Sequence, residues 1–267
     1  MNFNNKYAIV TGAASGMGRC YALHLAEMGY GVLLVDINGN AACELSSQIV
    51  KEYGVPAPVL CMDLTEADAA ERIVGQCREN GWPVEILINN AGMLVNSTIE
   101  DTVPDKLRRI VALHCTTPLL LCRHLIPLMK EQGRGYILNI SSITAWMDWP
   151  YIGMYGSTKR FVKGYSRQLR IECSGTPVSV TTAIFGAVDT PLLSGLPILR
   201  WRKWLLRLGF MISPERATKL ALRAMFKRKS QLIACPSDRL TILFCPLMPD
   251  CLLRYLAKKM GAAFSHQ

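Results

Sequence analysis

Lys6-Tyr7-Ala8-Ile9-Val10-Thr11-Gly12-Ala13-Ala14-Ser15-Gly16-Met17-Gly18 is the stretch on which the reading of this 267-residue chain turns. A short, continuously apolar run ends at a glycine-rich turn, and the turn opens a stretch with helical patterning. Glycine at the turn takes up backbone angles that other residues resist. The later glycines let the backbone approach a ligand and let the helix pack closely on the strand. The first turn of such a helix offers free N–H groups and a partial positive charge, the complement of a pyrophosphate. A glycine triplet alone is a weak signal, but here it stands in the strand–turn–helix context that a dinucleotide site requires. Gly12, Ser15, Gly16, Met17 and Gly18 are therefore the first candidate cofactor-binding residues.

Outward from this turn, apolar strand-like runs recur at 6–11, 31–36, 57–62, 85–89, 135–141, 178–184 and 231–234. Helical patterns lie between them at 16–29, 39–53, 65–80, 103–131, 151–172 and 214–227. Short apolar strands separated by helices of this length imply parallel pairing with helices on both faces. No linker-like tract or internal repeat divides the chain. The expected fold is a single α/β domain over 1–267, doubly wound and Rossmann-type, with a parallel sheet of about seven strands.

Composition narrows the class. Half the residues are apolar and 19% are charged, as in a globular protein. No basic–apolar–small-residue leader opens the sequence, and no run offers about 18 uninterrupted apolar residues. The ten cysteines are scattered without a Cys-x-x-Cys pair, and the four histidines do not cluster, so no metal site is expected. A reduced, cytoplasmic protein is the natural reading. Charge is uneven: residues 1–192 hold 16 Lys and Arg against 17 Asp and Glu, and residues 193–267 hold 14 against 3. The basic excess suits an anionic lipid surface, an acidic protein or an acidic substrate, or else it is a solvated face. It carries no recognisable nucleic-acid module, so nucleic acid is not an expected partner.

Asp36 ends the second strand 24 positions after Gly12, where a carboxylate binds an adenosine ribose and repels a 2′-phosphate. The apolar Ile37 follows it, and nothing local would neutralise an extra phosphate. The expected cofactor is NAD rather than NADP. Farther on, Tyr155 and Lys159 are spaced i, i+4 and share one helix face. A free phenol has a pKa near ~10, too high for a base at neutral pH, but a neighbouring ammonium favours the phenolate. Tyr155 then suits a proton acceptor from an alcohol, and Ser142, at the end of the fifth strand, a hydrogen-bonding group for the substrate oxygen.

Four motifs stand in order: the glycine turn, Asn89-Asn90-Ala91-Gly92, Ser142, and Tyr155-Gly156-Ser157-Thr158-Lys159. Over roughly residues 5–235 the chain resembles the short-chain dehydrogenase/reductase family, and its hydroxysteroid-dehydrogenase-like members in particular. The resemblance implies Ser142, Tyr155 and Lys159 as catalytic residues, with Lys159 also binding the nicotinamide ribose. It implies adenine contacts at Asp63 and Leu64, and a turn at Asn90-Ala91-Gly92 beneath the adenosine side. Gly186, Val188 and Thr190 match the segment that reaches the nicotinamide amide, but Phe185 stands where the family has proline. His114 aligns with the family's fourth catalytic residue, an asparagine holding a relay water. A histidine there either holds that water, shuttles the proton itself, or is a buried hydrogen-bonded residue beside a working triad.

The resemblance also places a substrate-covering lid at about 191–212, followed here by a basic, apolar extension at about 236–267. Read as a helix, 198–208 puts Trp201, Trp204, Leu205 and Leu208 on one face and Arg200, Lys203 and Arg207 on the other. That pattern suits a lid over an apolar pocket and also a lipid–water interface. Trp146, Met147, Trp149, Tyr151 and Met154 predict a broad apolar pocket, with Ser142, Trp149, Tyr155 and Phe185 as substrate contacts. The resulting expectation is an NAD-dependent enzyme interconverting a secondary alcohol and a ketone on a hydrophobic substrate: a steroid, bile acid or lipid. It would be a homodimer or homotetramer, with peripheral contact to an anionic membrane as a further option. Two alternatives remain, a 3-oxoacyl (carrier protein) reductase and a non-catalytic NAD-binding regulatory protein.

Overall fold

In the computed structural model, which describes residues 5–148, 152–194, 201–255 and 258, the first strand is the hub. β1 (Tyr7–Thr11) is buried along its whole length. Its side chains alternate, so Ala8 and Val10 enter one core and Ile9 the other. It pairs in parallel with β2 (Gly31–Asp36) on one side and β4 (Val84–Asn89) on the other. With β3 (Val59–Cys61), β5 (Gly135–Ser142), β6 (Val178–Phe185) and β9 (Gln231–Ile233), the seven-stranded order is β3-β2-β1-β4-β5-β6-β9. Every pairing in it is parallel. The fold is the single α/β domain that the strand–helix alternation predicted.

Helices α1 (Gly16–Glu27), α2 (Gly39–Tyr53) and α8 (Pro214–Phe226) cover one face, through Tyr21, Leu25, Leu45, Ile49 and Leu222. Helix α3 (Ala69–Glu79) and the run from 104 to 131 cover the other, through Ile73, Val74, Leu121 and Leu125. That run is not one uniform helix. It comprises α4 (Pro104–Val111), a π-helical turn at Ala112–Thr116 and α5 (Thr117–Glu131). By length and composition Pro104–Glu131 could cross a membrane, although Arg123 interrupts it. Here its apolar side lies on the sheet, with Leu121, Cys122, Leu125 and Met129 fully buried. Helix α6 (Gly153–Glu172) packs on β5 and β6.

The expected boundaries shift mostly at the ends. β3 is three residues rather than six, and α3 begins at Ala69 because 65–68 form a turn. Of the lid, residues 195–200 lie outside the described residues. The rest holds a 3-10 turn at Pro191–Leu193, α7 (Arg202–Arg207) and β8 (Met211–Ile212), which pairs with β7 (Ala187–Val188). The extension opens with α9 (Pro236–Phe244). Leu87 is fully buried in the middle of β4. Leu87→Ala should therefore cost about 2–5 kcal/mol of unfolding free energy, measured by urea denaturation with an unchanged m-value.

Candidate active site

Because β1 and β4 are neighbours whose following helices leave toward opposite faces, a crevice opens beyond their C-terminal ends. Its floor is tied by side chains. Thr11 Oγ1 donates to the Ile88 carbonyl at 3.2 Å and accepts the Asn90 and Ala91 amides at 3.0 and 3.1 Å. The Asn90 side-chain amide donates to the Thr11 and Gly12 carbonyls at 3.0 and 3.2 Å. Gly12 has φ +64°, and a Cβ on it would sit 2.9 Å from Ala91 Cα. A Cβ on Gly18 would lie 1.8 Å from the Gly12 carbonyl oxygen. Only glycine lets α1 approach the turn this closely.

The N-cap residue of α1, Ser15, makes no side-chain cap, so the first-turn amides keep their hydrogen-bonding capacity for an anionic group. Asp36 faces the same crevice and is held rigidly: its Oδ2 accepts the Ala14 amide at 2.8 Å and its Oδ1 the Asn38 amide at 2.9 Å. Ile37 beside it is exposed. Asp63 accepts the Thr65 amide and hydroxyl at 2.9 and 2.8 Å and Arg109 Nη2 at 2.8 Å. Burial alone would raise its pKa, but these donors hold the carboxyl below its usual value. A glycine cradle that any Cβ would fill, an uncapped helix start and an oriented carboxylate together fit a dinucleotide.

The other end of the crevice gathers Ser142, at the end of β5, with Tyr155 and Lys159 on α6. Lys159 is only 5% exposed; its Nζ donates to the Ile140 carbonyl at 3.0 Å, and burial brings its pKa down to about 8. The Tyr155 phenol departs from the sequence expectation. Burial pushes it up to about 12, while the Ser142 hydroxyl pulls the other way. Lys159 Nζ lies 5.6 Å from the Tyr155 ring centre and donates to the Ile140 carbonyl. The Ser141 hydroxyl donates to the Lys159 backbone carbonyl at 2.9 Å, which leaves Ser142 as the serine against the phenol.

His114 sits in the π-helical turn, 1% exposed, with its ring edge-on to Tyr155 at 5.6 Å between centroids. Nε2 accepts the Met93 amide at 3.0 Å, so the ring proton belongs on Nδ1, 2.8 Å from Thr158 Oγ1. Thr158 in turn donates to the Tyr155 carbonyl at 2.9 Å. Burial, helped by the nearby Lys159 charge, lowers the imidazole pKa well below its usual value. Both ring nitrogens are therefore occupied by protein groups in a neutral imidazole, an arrangement opposed to the proton-shuttling option.

A cavity of about 610 Å³ unites the two ends. It is lined by Gly12, Ser15, Gly16, Met17, Asp36, Ile37, Asp63, Leu64, Asn90, Ala91, Gly92, Ser142, Tyr155, Lys159, Phe185, Gly186, Val188 and Thr190. Gly18 and His114 stand behind that lining. Trp149 lies outside the described residues. Phe185 borders the cavity, but its ring packs into the α1–α8 core and is 3% exposed, so it is a floor and not the expected pocket wall. Met147, one of the residues expected to shape an apolar pocket, lines the space; Arg109, Met93, Leu94, Ile152, Leu192 and Leu193 also line it and were not singled out in sequence. For Leu192 and Leu193 the signal was their place in the expected lid at about 191–212. Residues 201–212 contribute nothing to the lining, but Arg202 reaches back to Asp189 at 2.6 Å.

The 17-beta-hydroxysteroid dehydrogenase type 3 of Homo sapiens is 28% identical over 199 residues, covering 71% of this chain and 64% of that protein. The 1-deoxy-11-beta-hydroxypentalenate dehydrogenase of Streptomyces exfoliatus is 27% identical over 199 residues, 73% of this chain and 72% of that one. A solved 7beta-hydroxysteroid dehydrogenase superposes with a TM-score of 0.84 at 25% identity, over 96% of this chain and 99% of that one. The family profile described as short chain dehydrogenase matches residues 6–197, and with the crevice, glycine turn and sheet order above, this chain belongs to that family of oxidoreductases.

Proposed function

We propose that this enzyme interconverts a secondary alcohol and a ketone on a hydrophobic substrate, a steroid, bile acid or other lipid, with NAD as cofactor and Tyr155 as acid/base. The observation that carries the reading is the placement of Ser142, Tyr155 and Lys159 in one cavity with Met93, Leu94, Met147, Ile152 and Leu192. Apolar walls around a few convergent polar groups suit a bulky alcohol better than a sugar. Gly12, Ser15–Gly18, Asp36, Asp63, Leu64 and Asn90–Gly92 would hold the adenosine and pyrophosphate; Lys159, Gly186, Val188 and Thr190 would hold the nicotinamide half. Bound NAD supplies a hydride acceptor whose oxidised ring is a cation, favouring the phenolate. Ser142 holds the substrate oxygen, Tyr155 Oη takes its proton in oxidation and returns it in reduction, and the Lys159 charge supports the ionised phenol. The free thiols of all ten cysteines suit a cytoplasmic enzyme. Val111, Leu119 and Phe161, exposed on the α4–α6 side, suit burial between subunits of a homodimer or homotetramer.

Tyr155→Phe should reduce turnover of hydroxysteroids, bile acids or long-chain secondary alcohols by about 10²–10⁴-fold while leaving NADH fluorescence enhancement intact. In the unmodified enzyme, oxidation should speed up and reduction slow down as pH rises, since oxidation needs the phenolate and reduction the phenol. Full turnover by the Tyr155→Phe variant defeats the assignment.

For the cofactor, the two cations in the described lining are Arg109, paired with Asp63, and Lys159, donating to Ile140. Neither faces Asp36 as a partner for a 2′-phosphate. Replacing Asp36→Ala together with Ile37→Arg should move the NAD-to-NADP ratio of kcat/KM toward NADP by at least about tenfold.

His114 is assigned a positioning role. It clamps the Met93 amide, just past the Asn90–Gly92 turn, to Thr158 on the catalytic helix. Its folded-state pKa lies below its unfolded value. The stability this gives is therefore complete above about pH 6.5 and lost as pH falls below it, by up to about 1.4 kcal/mol per pH unit. His114→Asn should show a smaller drop in thermal midpoint between about pH 7 and 5 than the unmodified protein, followed by circular dichroism.

A further inference from the structure

The basic excess of the last quarter does not lie in one place. Arg216, Lys219 and Arg223 belong to α8, and Arg228 stands over the Tyr136 ring. A separate group of charges surrounds two short helices that follow the cavity. On and beside α7, Trp201, Trp204 and Leu208 are spaced i, i+3, i+7 and are 66%, 56% and 51% exposed. On α9 and the turn after it, Leu240, Leu243, Phe244 and Leu247 are spaced i, i+3, i+4, i+7 and are 59–73% exposed. Leu205 and Leu206 of α7, and Ser237, Thr241 and Ile242 of α9, are half-buried, and Asp238 of α9 is buried. Both helices thus present apolar stripes outward, the reverse of a soluble helix.

The two stripes are neighbours. Ser237 Oγ donates to the Gly209 carbonyl at 3.4 Å, joining the start of α9 to the end of α7, and Trp204 stacks on Phe210 at 6.4 Å. Lys203 and Arg207 of α7 and Arg239 of α9 are exposed, as are Arg254 and Lys258 farther along the chain. Of the acids here, Asp238 is buried and accepts the Gly186 amide at 3.1 Å, which leaves Asp250, beside Arg254, as the exposed carboxylate among the described residues of 236–258.

We infer that the outward faces of α7 and α9 form one docking surface for a bilayer containing anionic lipid. Tryptophan and leucine enter the acyl–headgroup boundary while the surrounding ammonium and guanidinium groups meet lipid phosphates. Charge favours this occupant over a second copy of the chain: a symmetric dimer through the same face would bring two basic rims together. The surface is also continuous with the site. Leu192 and Leu193 line the cavity just before this segment, and Arg202 at the start of α7 is tied to Asp189, next to the cavity residue Val188. A membrane-dissolved substrate would reach the cavity from this side. Docking goes beyond the proposed reaction and is measured without turnover, so either claim stands or fails alone.

The test is co-sedimentation of the full chain with vesicles of phosphatidylcholine alone or with about one-third phosphatidylserine. Binding is expected to the mixed vesicles, weakening about tenfold or more at high salt. Leu243→Ser with Phe244→Ser, and separately Lys203→Glu with Arg207→Glu, should each weaken it at least about tenfold. These side chains are exposed, so unchanged thermal midpoints should accompany the loss. In the unmodified protein, brominated lipid in the mixed vesicles should quench tryptophan fluorescence. Absence of binding to the mixed vesicles, binding indifferent to both double variants, or a dimer in sedimentation velocity that Leu243→Ser with Phe244→Ser turns into monomers overturns the proposal.

Discussion

β1 is covered on both faces and paired on both edges, and this double burial governs what the rest of the chain can do. With no free edge and no wet face, the strand contributes nothing to a ligand along its length. Chemistry is confined to the loops beyond its C-terminal end, where β1 and β4 part. The close contact between Gly18 and the Gly12 carbonyl keeps α1 aimed at that gap, and the Thr11–Asn90 hydrogen bonds hold the gap at one width. Asp36 is anchored to the same turn through the Ala14 amide. The turn, Asp36 and Asn90 are therefore joined by one hydrogen-bond network without a ligand, which lowers the entropy cost of binding one there.

At the catalytic end burial acts against ionisation. The phenol of Tyr155 is pushed up by its surroundings and the ammonium of Lys159 is pushed down, so neither group is held in a fixed charge state by its partner alone. Such a pair responds strongly to an added charge or hydrogen bond, the property wanted in a group that both takes and gives a proton. His114 is the neutral member of the cluster. Locked to the Met93 amide on one side and Thr158 on the other, it couples the loop after β4 to the helix that carries Tyr155. It does so from within the π-helical turn at 112–116, where it is buried with Cys115.

The last quarter of the chain follows a different logic. Where the sheet and its helices hide apolar side chains, α7 and α9 display them, and cationic residues flank the display. Asp189 and Asp238 serve as internal anchors, one for Arg202 and one for the Gly186 amide, so the display is fastened to the segment 186–190 that borders the cavity and not merely appended to it.

Local sequence was enough for the strand and helix order, because burial on two faces makes parallel strands continuously apolar and α-helices amphipathic over ten or more residues. It was enough as well for the glycine turn, Asp36, and the Tyr155–Lys159 pair, since each depends on spacing within one strand–turn or one helix. The helix end at 65–68 and the π-turn at 112–116 were hidden, because they depend on which of several neighbouring carbonyls each amide takes as its partner. The inward ring of Phe185, the direction of the Lys159 ammonium toward Ile140, the Asp63–Arg109 pair and the double engagement of His114 each join residues from different elements. Only the packed structure decides them, because a side chain's partner and its solvation are set by neighbours distant in the chain, and it is solvation that fixes where a proton rests.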